Sequence, residues 1–232
     1  MSPFSKRIQL PLLKCKPKQE QCTDISHFSG KYALFAVLGY TYTAMIYILR
    51  HGKTEWNILR KLQGKTDIPL CDEGRKMAED AAKRYADVHF DICYSSPLIR
   101  AKETAEIILK GRDVPILTDD RLSEMGFGEY EGLAKSFDIP DCPINLLFQH
   151  PEEYTEPVGG AESLDELYER TGSFLKEVII PLHKEGKDVL IVGHGAMNSC
   201  ILTQVKGLPR KDFWSHGLVQ CTLMVLFDDT KD

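Results

Sequence analysis

The residues with the clearest chemical potential are an arginine and a histidine that stand side by side after a short apolar run. Arg50 and His51 follow the run IYIL and precede Gly52, a residue type that lets the backbone approach a ligand closely. A guanidinium binds phosphate oxygens in a bidentate manner, and an imidazole can act as a nucleophile or exchange protons. Taken alone, this short stretch is weak evidence for phosphate chemistry.

Two further groups of the same kind follow other apolar runs. Arg100 lies a few residues after ICYS, and His194 lies between Gly193 and Gly195, directly after VLIV. Taken singly, such a histidine is more typical of a hydrogen-bonded structural residue, and such an arginine of a surface ion pair. Two histidines and two arginines with the same placement favour a common phosphate site.

These residues must be positioned by the elements that precede them. Short apolar runs alternate with segments of helical periodicity, which predicts βα units around a mostly parallel sheet. The carboxyl ends of parallel strands lie at one edge, where open α/β sheets bind ligands. The predicted strands are Ile46–Leu49, Ile92–Ser95, Ile116–Thr118, Val189–Val192 and Thr222–Phe227.

Three helices are predicted between the strands. One follows Asp72 and has an apolar face. A second is expected to open at Ser96 and Pro97, as N-cap and first-turn proline, and to run through Ile108. The third begins at a capping box formed by Ser163 and Glu166 and is expected to bury Leu164, Leu167, Tyr168, Phe174 and Val178.

The first 44 residues differ in charge and composition from the rest of the chain. They carry six Lys or Arg and two Asp or Glu, net +4, which leaves 23 against 32, net −9, for residues 45–232. The 18 residues Tyr32–Leu49 are uncharged, so a targeting segment, a membrane anchor and an incorrect start codon all come into question. A membrane span is disfavoured, because the strand Ile46–Leu49 is needed by the sheet. We expect an N-terminal extension over 1–44 and one catalytic domain over 45–232.

Composition excludes several classes of protein. Charged residues make up 27% and hydrophobic residues 43%, which is typical of a globular domain, and the acidic charge of residues 45–232 argues against a nucleic-acid partner. The seven cysteines show no metal-binding spacing, which indicates free thiols in a reducing compartment and hence a cytoplasmic location. Cys93 and Cys221 are expected to be small buried side chains.

Six motifs together resemble the histidine phosphatase superfamily, the group that includes the cofactor-dependent phosphoglycerate mutases. In chain order they are RHGKTEWN, LQGKTDIPLCDEG, SSPLIRAKETA, LSEMGFGEYEG, GGAESLDEL and VGHGAM, and the resemblance covers residues 45–232. It implies a phosphoglycerate-mutase-like fold, with three layers, α/β/α, and a mostly parallel central sheet.

The resemblance also implies roles for individual residues. His51 would attack phosphorus and form a phosphohistidine, Glu124 would act as acid and then base, and Arg50, Arg100 and His194 would stabilise the phosphoryl group. Other residues would contribute hydrogen bonds to phosphate or substrate, namely Thr54, Asn57, Gln63, Gly64 and Gly195. Glu129 and Glu131 are expected to be solvated loop carboxylates.

The expected activity is hydrolysis of small phosphorylated metabolites without a cofactor or metal ion, since the strand ends carry arginines rather than clustered carboxylates. A phosphoglycerate mutase is the first alternative, but only Lys135 among the lysines and arginines falls between Glu124 and Glu162, where mutases look longer and more basic. A catalytically idle member that binds phosphorylated ligands is the second. Oligomeric state, physiological substrate and any membrane contact through 1–44 stay open.

One residue and one segment depart from the motifs of the superfamily or lie between them. Ala161 is inserted before Glu162 and Ser163, where the superfamily often has Gly-Glu-Ser, and we expect no contact between this insertion and the catalytic set. The segment Leu133–Val158 is partly apolar and either borders the pocket or packs as an ordinary loop.

Overall fold

The computed structural model describes residues 44–226, which form a five-stranded sheet with helices on both faces. In chain order the elements are β1 (Ile46–Arg50), α1 (Glu55–Ile58), α2 (Asp72–Arg84), β2 (Ile92–Ser95), α3 (Ile99–Ile108), β3 (Ile116–Thr118), α4 (Asn145–Gln149), α5 (Leu164–Phe174), α6 (Ile180–Lys184), β4 (Val189–Gly193), α7 (Gly195–Val205) and β5 (Leu223–Val225).

The strand order is β3-β2-β4-β1-β5, and β1 to β4 run parallel. Only the edge strand β5 is antiparallel to its neighbour β1 among the described strands. The strand β5, Leu223–Val225, is shorter than the predicted strand Thr222–Phe227, of which Phe227 lies outside the described residues. The prediction of a mostly parallel sheet is confirmed.

The side chains of the central strands alternate between two cores. Ile46 and Ile48 are fully buried against α5 and α7, whereas Leu49 is fully buried against α2 and α3. In β4, Ile191 joins the first core and Leu190 the second. Because both faces of the strands bury apolar side chains, helices must cover both, and the predicted three-layer α/β/α fold is confirmed.

The helix that carries Arg100 begins later than predicted. Its N-cap is Leu98, and α3 begins at Ile99. The Ile99 N–H donates to the Asp67 carboxylate at 2.7 Å, so a side chain from a distant loop caps this helix. Ser96 lies outside the helix, and its hydroxyl accepts a longer hydrogen bond of 3.3 Å from the Leu98 N–H.

The capping box at the third predicted helix is confirmed. The Ser163 hydroxyl accepts from the Glu166 N–H at 3.1 Å, and the Glu166 carboxylate accepts from the Ser163 N–H at 2.8 Å. Leu164, Leu167 and Phe174 are buried, while Tyr168 and Val178 are partly buried. After α5 the chain continues through one π-helical turn, Leu175–Ile179, into α6.

The cysteines of the described region are free, buried thiols, as predicted. Burial raises the pKa of Cys93, Cys200 and Cys221 to about 12. Cys15 and Cys22 lie outside the described residues. Within 44–226, no helix has the length and hydropathy needed to cross a membrane.

Candidate active site

The parallel strands bring the predicted residues to one edge of the sheet. Arg50 ends β1 and His51 follows it, His194 follows β4, Arg100 lies in the first turn of α3, and Glu124 lies beyond β3. Arg50, His51, Arg100 and Glu124 line a cavity of about 160 Å³, and the His194 ring lies behind this lining, next to the His51 ring. The lining consists of Arg50, His51, Asn57, Lys61, Leu62, Gln63, Gly64, Arg100, Glu124, Phe127, Phe148, Gly195, Ala196 and Trp214.

His51 is 2% exposed, and one of its ring nitrogens is held by the backbone. Nδ1 lies 2.6 Å from the Gly52 carbonyl oxygen, which can only accept, so Nδ1 carries the proton and donates. Burial, together with the charges of Arg100 and Arg50, holds the pKa of His51 well below its usual value. The ring is thus neutral, with a lone pair on Nε2.

Gly52 allows a close contact that the sequence did not predict. A Cβ at this position would lie 2.6 Å from the carbonyl oxygen of Gly74, so the glycine lets two segments of backbone approach each other. The Gly52 N–H donates to the Thr104 hydroxyl at 3.1 Å. These contacts fix the turn that carries His51.

The two arginines are held through their terminal nitrogens. Arg100 donates to the carbonyls of Thr66 at 2.9 Å and Gly64 at 2.7 Å, and Arg50 donates to the Leu218 carbonyl at 3.3 Å. The buried Nε atom of each arginine has no partner within residues 44–226. Burial lowers the pKa of both groups, opposed by the Glu124 charge. An anion in the cavity would satisfy these donors.

His194 is completely buried, and its ring centroid lies 5.1 Å from that of His51. Its Nε2 lies 2.7 Å from the Ser96 hydroxyl, while Nδ1 has no partner in the described part of the chain. Burial lowers the pKa of His194 far below its usual value, and the charge of Arg100 contributes in the same direction. The sequence predicted Ser96 only as a helix N-cap, and its contact with His194 was missed.

Glu124 is anchored at the start of α7. Its carboxylate accepts from the N–H groups of Gly195 at 2.9 Å, Ala196 at 3.3 Å and Met197 at 3.0 Å, and from that of Met125 at 3.0 Å. These donors and the positive end of the helix dipole stabilise a negative charge. The Gly195 N–H therefore points to Glu124, although the sequence suggested a contact with substrate.

The polar residues after His51 form a connected group. The Thr54 hydroxyl donates to the Gln63 side-chain oxygen at 2.9 Å and caps α1, and Thr54 is not among the residues that line the cavity. Asn57 accepts through Oδ1 from the Thr54 N–H and the Gln220 amide, both at 3.0 Å. Because the side-chain oxygens of Asn57 and Gln63 are occupied, their NH₂ groups are left as donors for a ligand.

Glu131 is not the solvated carboxylate that the sequence suggested. It accepts from the N–H groups of Lys65 and Thr66, each at 2.9 Å, from the Phe127 N–H at 3.1 Å, and from the Thr66 hydroxyl. It thereby holds the loop whose Gly64 and Thr66 carbonyls bind Arg100. Gly64 has φ of 56°, and a Cβ there would collide with Glu131. Glu129 is exposed, as predicted.

A partly buried ion pair supports the segment that carries Glu124. Arg170 donates to both carboxylate oxygens of Glu162, at 2.5 and 3.1 Å, and to the carbonyls of Arg121 at 2.6 Å and Glu124 at 3.2 Å. Glu162 also accepts from the Gly126 N–H at 3.0 Å. The inserted Ala161 is buried in the apolar core, but the adjacent Glu162 contacts this catalytic segment.

An aromatic wall closes one side of the cavity. Phe148 stacks on Trp214 with ring centroids 5.3 Å apart and contacts Phe127 at 5.8 Å. The Trp214 ring nitrogen donates to the Leu147 carbonyl at 2.8 Å. Both interpretations of Leu133–Val158 thus hold in part, because Phe148 lines the cavity while Ile144 and Leu147 pack in the core. Trp214 was missed, since no motif surrounds it.

A mostly parallel sheet whose strand ends gather two histidines, two arginines and a carboxylate defines the α/β/α class of phosphoryl-transfer enzymes. The family model described as "Histidine phosphatase superfamily (branch 1)" matches residues 46–230 of this chain. The chain therefore belongs to the histidine phosphatase superfamily, and the predicted family and enzyme class are confirmed.

Individual relatives carry the names of both mutases and phosphatases. A 2,3-bisphosphoglycerate-dependent phosphoglycerate mutase of Cytophaga hutchinsonii is 33% identical over 170 residues, which are 72% of this chain and 80% of that one. The uncharacterized phosphatase PhoE of Bacillus subtilis is 37% identical over 160 residues, 69% of this chain and 76% of that one. The structure of Bacillus stearothermophilus YhfR superposes with a TM-score of 0.71 at 31% identity, over 78% of this chain and 90% of that one.

Proposed function

We propose that this protein is a metal-independent phosphomonoesterase that hydrolyses small phosphorylated metabolites through a phosphohistidine on His51. One observation carries the proposal. Three buried donors, Arg50 Nε, Arg100 Nε and His194 Nδ1, have no partner within residues 44–226. They belong to residues that surround the neutral His51 ring. A phosphoryl group supplies the oxygens that these donors lack.

The reaction proceeds in two steps. His51 Nε2 attacks phosphorus, the bond from phosphorus to the ester oxygen breaks, and Glu124 gives its proton to the departing alcohol. Water then attacks the phosphohistidine, Glu124 takes the water proton, and the bond from phosphorus to nitrogen breaks to release phosphate. By taking the water proton, Glu124 regains the proton that it gave to the alcohol in the first step.

Hydrolysis is favoured over mutase activity by the walls of the cavity. A phosphoglycerate mutase must grip a carboxylate as well as a phosphate and must keep water from the phosphoenzyme. Among the described residues that line this cavity, Lys61 is the only lysine or arginine besides Arg50 and Arg100, and the opposite wall is aromatic. The mutase remains the alternative because a mutase is among the relatives of comparable identity.

The proposed independence of metal ions rests on the charges at the site. Within the described residues, Glu124 is the only carboxylate that lines the cavity, and its oxygens are occupied by N–H donors. Arg50 and Arg100 supply the positive charge that a metal ion provides elsewhere.

The phosphoenzyme provides the direct test. Labelled substrate, quenched without acid, should leave an acid-labile and alkali-stable phosphoryl group on the wild type and none on His51→Ala. Equal labelling of both proteins would refute the intermediate. A panel of phosphorylated metabolites, assayed beside 3-phosphoglycerate conversion with and without 2,3-bisphosphoglycerate, compares the two activities. Mutase turnover far above every phosphatase rate would overturn hydrolysis.

We propose further that residues 45–232 are the catalytic domain and that the protein works in the cytoplasm on small substrates, without nucleic acid or a membrane. The free thiols of Cys71, Cys93, Cys142, Cys200 and Cys221 support a reducing compartment. A chain that lacks residues 1–44 should fold and keep its activity. An insoluble or clearly less stable product would show that this segment belongs to the fold.

A further inference from the structure

Ser96 directly follows β2 and carries a buried hydroxyl that contacts His194. Its N–H donates to the Val192 carbonyl at 3.0 Å, which ties it to the neighbouring strand β4. Its Oγ lies 2.7 Å from His194 Nε2 and accepts at 3.3 Å from the Leu98 N–H. The hydroxyl is therefore bonded on two sides and is shielded from solvent, since Ser96 is fully buried.

The position of the protons follows from the number of donors and acceptors. A serine hydroxyl has one proton and two lone pairs. If His194 Nε2 carried a proton, it and the Leu98 N–H would occupy both lone pairs, and the hydroxyl proton would have no acceptor recorded within residues 44–226. If Nε2 is unprotonated, the hydroxyl donates to it, and both the Ser96 hydroxyl and Nε2 are satisfied. Buried polar groups are nearly always satisfied, so the second arrangement is favoured.

A neutral imidazole has a single N–H, so this arrangement places the His194 proton on Nδ1. Burial and the neighbouring charges of Arg100, Arg50 and Arg170, together with His51, lower the pKa of His194 and keep its ring neutral. Nδ1 is buried without a partner in the described region. Its N–H is thus left without an acceptor in the ligand-free protein.

We propose that Ser96 is a positioning residue that fixes the tautomer of His194, with the proton on Nδ1, so that this N–H donates to an oxygen of the transferring phosphoryl group. The assignment of the tautomer stands on the contacts of the ligand-free site. The role in phosphoryl transfer rests on the proposed function.

Nitrogen-15 NMR of the ligand-free protein with labelled histidine tests the tautomer without any substrate. The chain has seven histidines, and His194→Ala identifies the signals of His194. We expect a protonated Nδ1 and an unprotonated Nε2 in the wild type, and loss of this preference in Ser96→Ala. A proton on Nε2 in the wild type would overturn the proposal, whatever the protein's activity. If the tautomer is as proposed but no phosphomonoester is hydrolysed, only the proposed function fails.

Kinetics then test whether Ser96 acts through His194. Ser96→Ala should lower kcat/KM and the affinity for orthovanadate by about tenfold, because an oriented donor to an anion is lost. The matched control is Ser95→Ala, which removes a buried hydroxyl that donates to the Ser96 carbonyl at 3.0 Å, and kcat/KM should stay close to wild type. In a His194→Ala background, Ser96→Ala should have no further effect on orthovanadate binding. An equal loss in both backgrounds would show a merely structural role and reject the proposal.

Discussion

The two sides of the cavity are held in place by different kinds of backbone. What we propose as the phosphate-binding side comprises Arg50, His51 and Arg100 together with the buried His194 beside them, and it is attached to the ends of parallel strands and the first turn of a helix. What we propose as the leaving-group side comprises Lys61, Phe127, Phe148 and Trp214, and all four lie in loops or short helices.

This difference separates two functions of the site. The first side holds buried nitrogens that lack partners in the described part of the chain, which is unfavourable in the free protein and would become favourable if a phosphoryl group entered, as proposed. The loop side offers mainly aromatic surface, whose contacts depend on the group attached to the phosphate. We therefore expect changes on the first side to affect all substrates equally, and changes on the second to affect them differently.

The largest effect is expected from Arg100→Ala. The guanidinium is fixed by two carbonyls and has a free Nε, so its loss should lower kcat/KM by about 10³-fold. The loss should be the same for p-nitrophenyl phosphate and for an alkyl phosphate, measured by phosphate release. The control Arg100→Lys keeps the charge without the fork and should recover only part of the rate. A loss that differs strongly between the two substrates would contradict the comparison.

Glu124→Gln should separate the two substrates, because only a poor leaving group needs a proton. With an alkyl phosphate, formation of the phosphoenzyme should slow by about 10²-fold. With p-nitrophenyl phosphate the first turnover should remain fast, and the phosphoenzyme should accumulate because water is no longer activated. Stopped-flow bursts of p-nitrophenolate and quenched labelling measure both steps. Equal slowing of the first step for both substrates would remove Glu124 from the role of acid.

Phe148→Ala tests the aromatic wall. The KM for an aryl phosphate should rise by about tenfold, since apolar contact with the leaving group is lost, while inhibition by orthovanadate should not change. The matched control is Phe137→Ala, because Phe137 contacts Phe148 at 5.7 Å but is 60% exposed and does not line the cavity. Weaker orthovanadate inhibition in Phe148→Ala would show that the two sides are not independent.

Acid should destabilise the fold through the phosphate-binding side. Folding lowers the pKa of His51 and of His194. Below about pH 6.5 these two histidines therefore bind protons in the unfolded chain but not in the native state. The free energy of unfolding should fall as pH decreases from there, with a slope approaching about 2.7 kcal/mol per pH unit for two protons. Urea unfolding at several pH values measures the slope. A double variant, His51→Ala with His194→Ala, should lose this contribution, and an unchanged slope would contradict it.

The smallest expected effect is that of a chelator. EDTA should leave kcat/KM unchanged, because the arginines and not a metal ion carry the positive charge on the phosphate-binding side. Dialysis against EDTA followed by assay, with and without added Mg²⁺, is the measurement. Loss of most activity in EDTA, restored by a divalent ion, would mean that the phosphate-binding side is incomplete without metal.

The sequence by itself determined the sheet and the phosphate-binding side. Apolar runs identified β1 to β4 closely. The reason is clearest for β1 and β4, because strands that bury side chains on both faces are continuous apolar segments. Parallel strands place their carboxyl ends at one edge, so residues that follow the runs, such as His51 and His194, could be assigned to one site without coordinates. The capping box at Ser163 was equally clear, since its contacts span three residues.

Only the tertiary structure decided the contacts that support these residues. Glu131 binds the N–H of Lys65 across 66 positions, Asp67 caps Ile99 across 32, and Ser96 contacts His194 across 98. Each pair joins loops or strand ends whose separation in the chain carries no periodic signal. A hydrogen bond requires two groups to lie within about 3 Å with the correct orientation. That geometry is produced by packing of the whole domain, and no local pattern around Glu131, Asp67 or Ser96 encodes it.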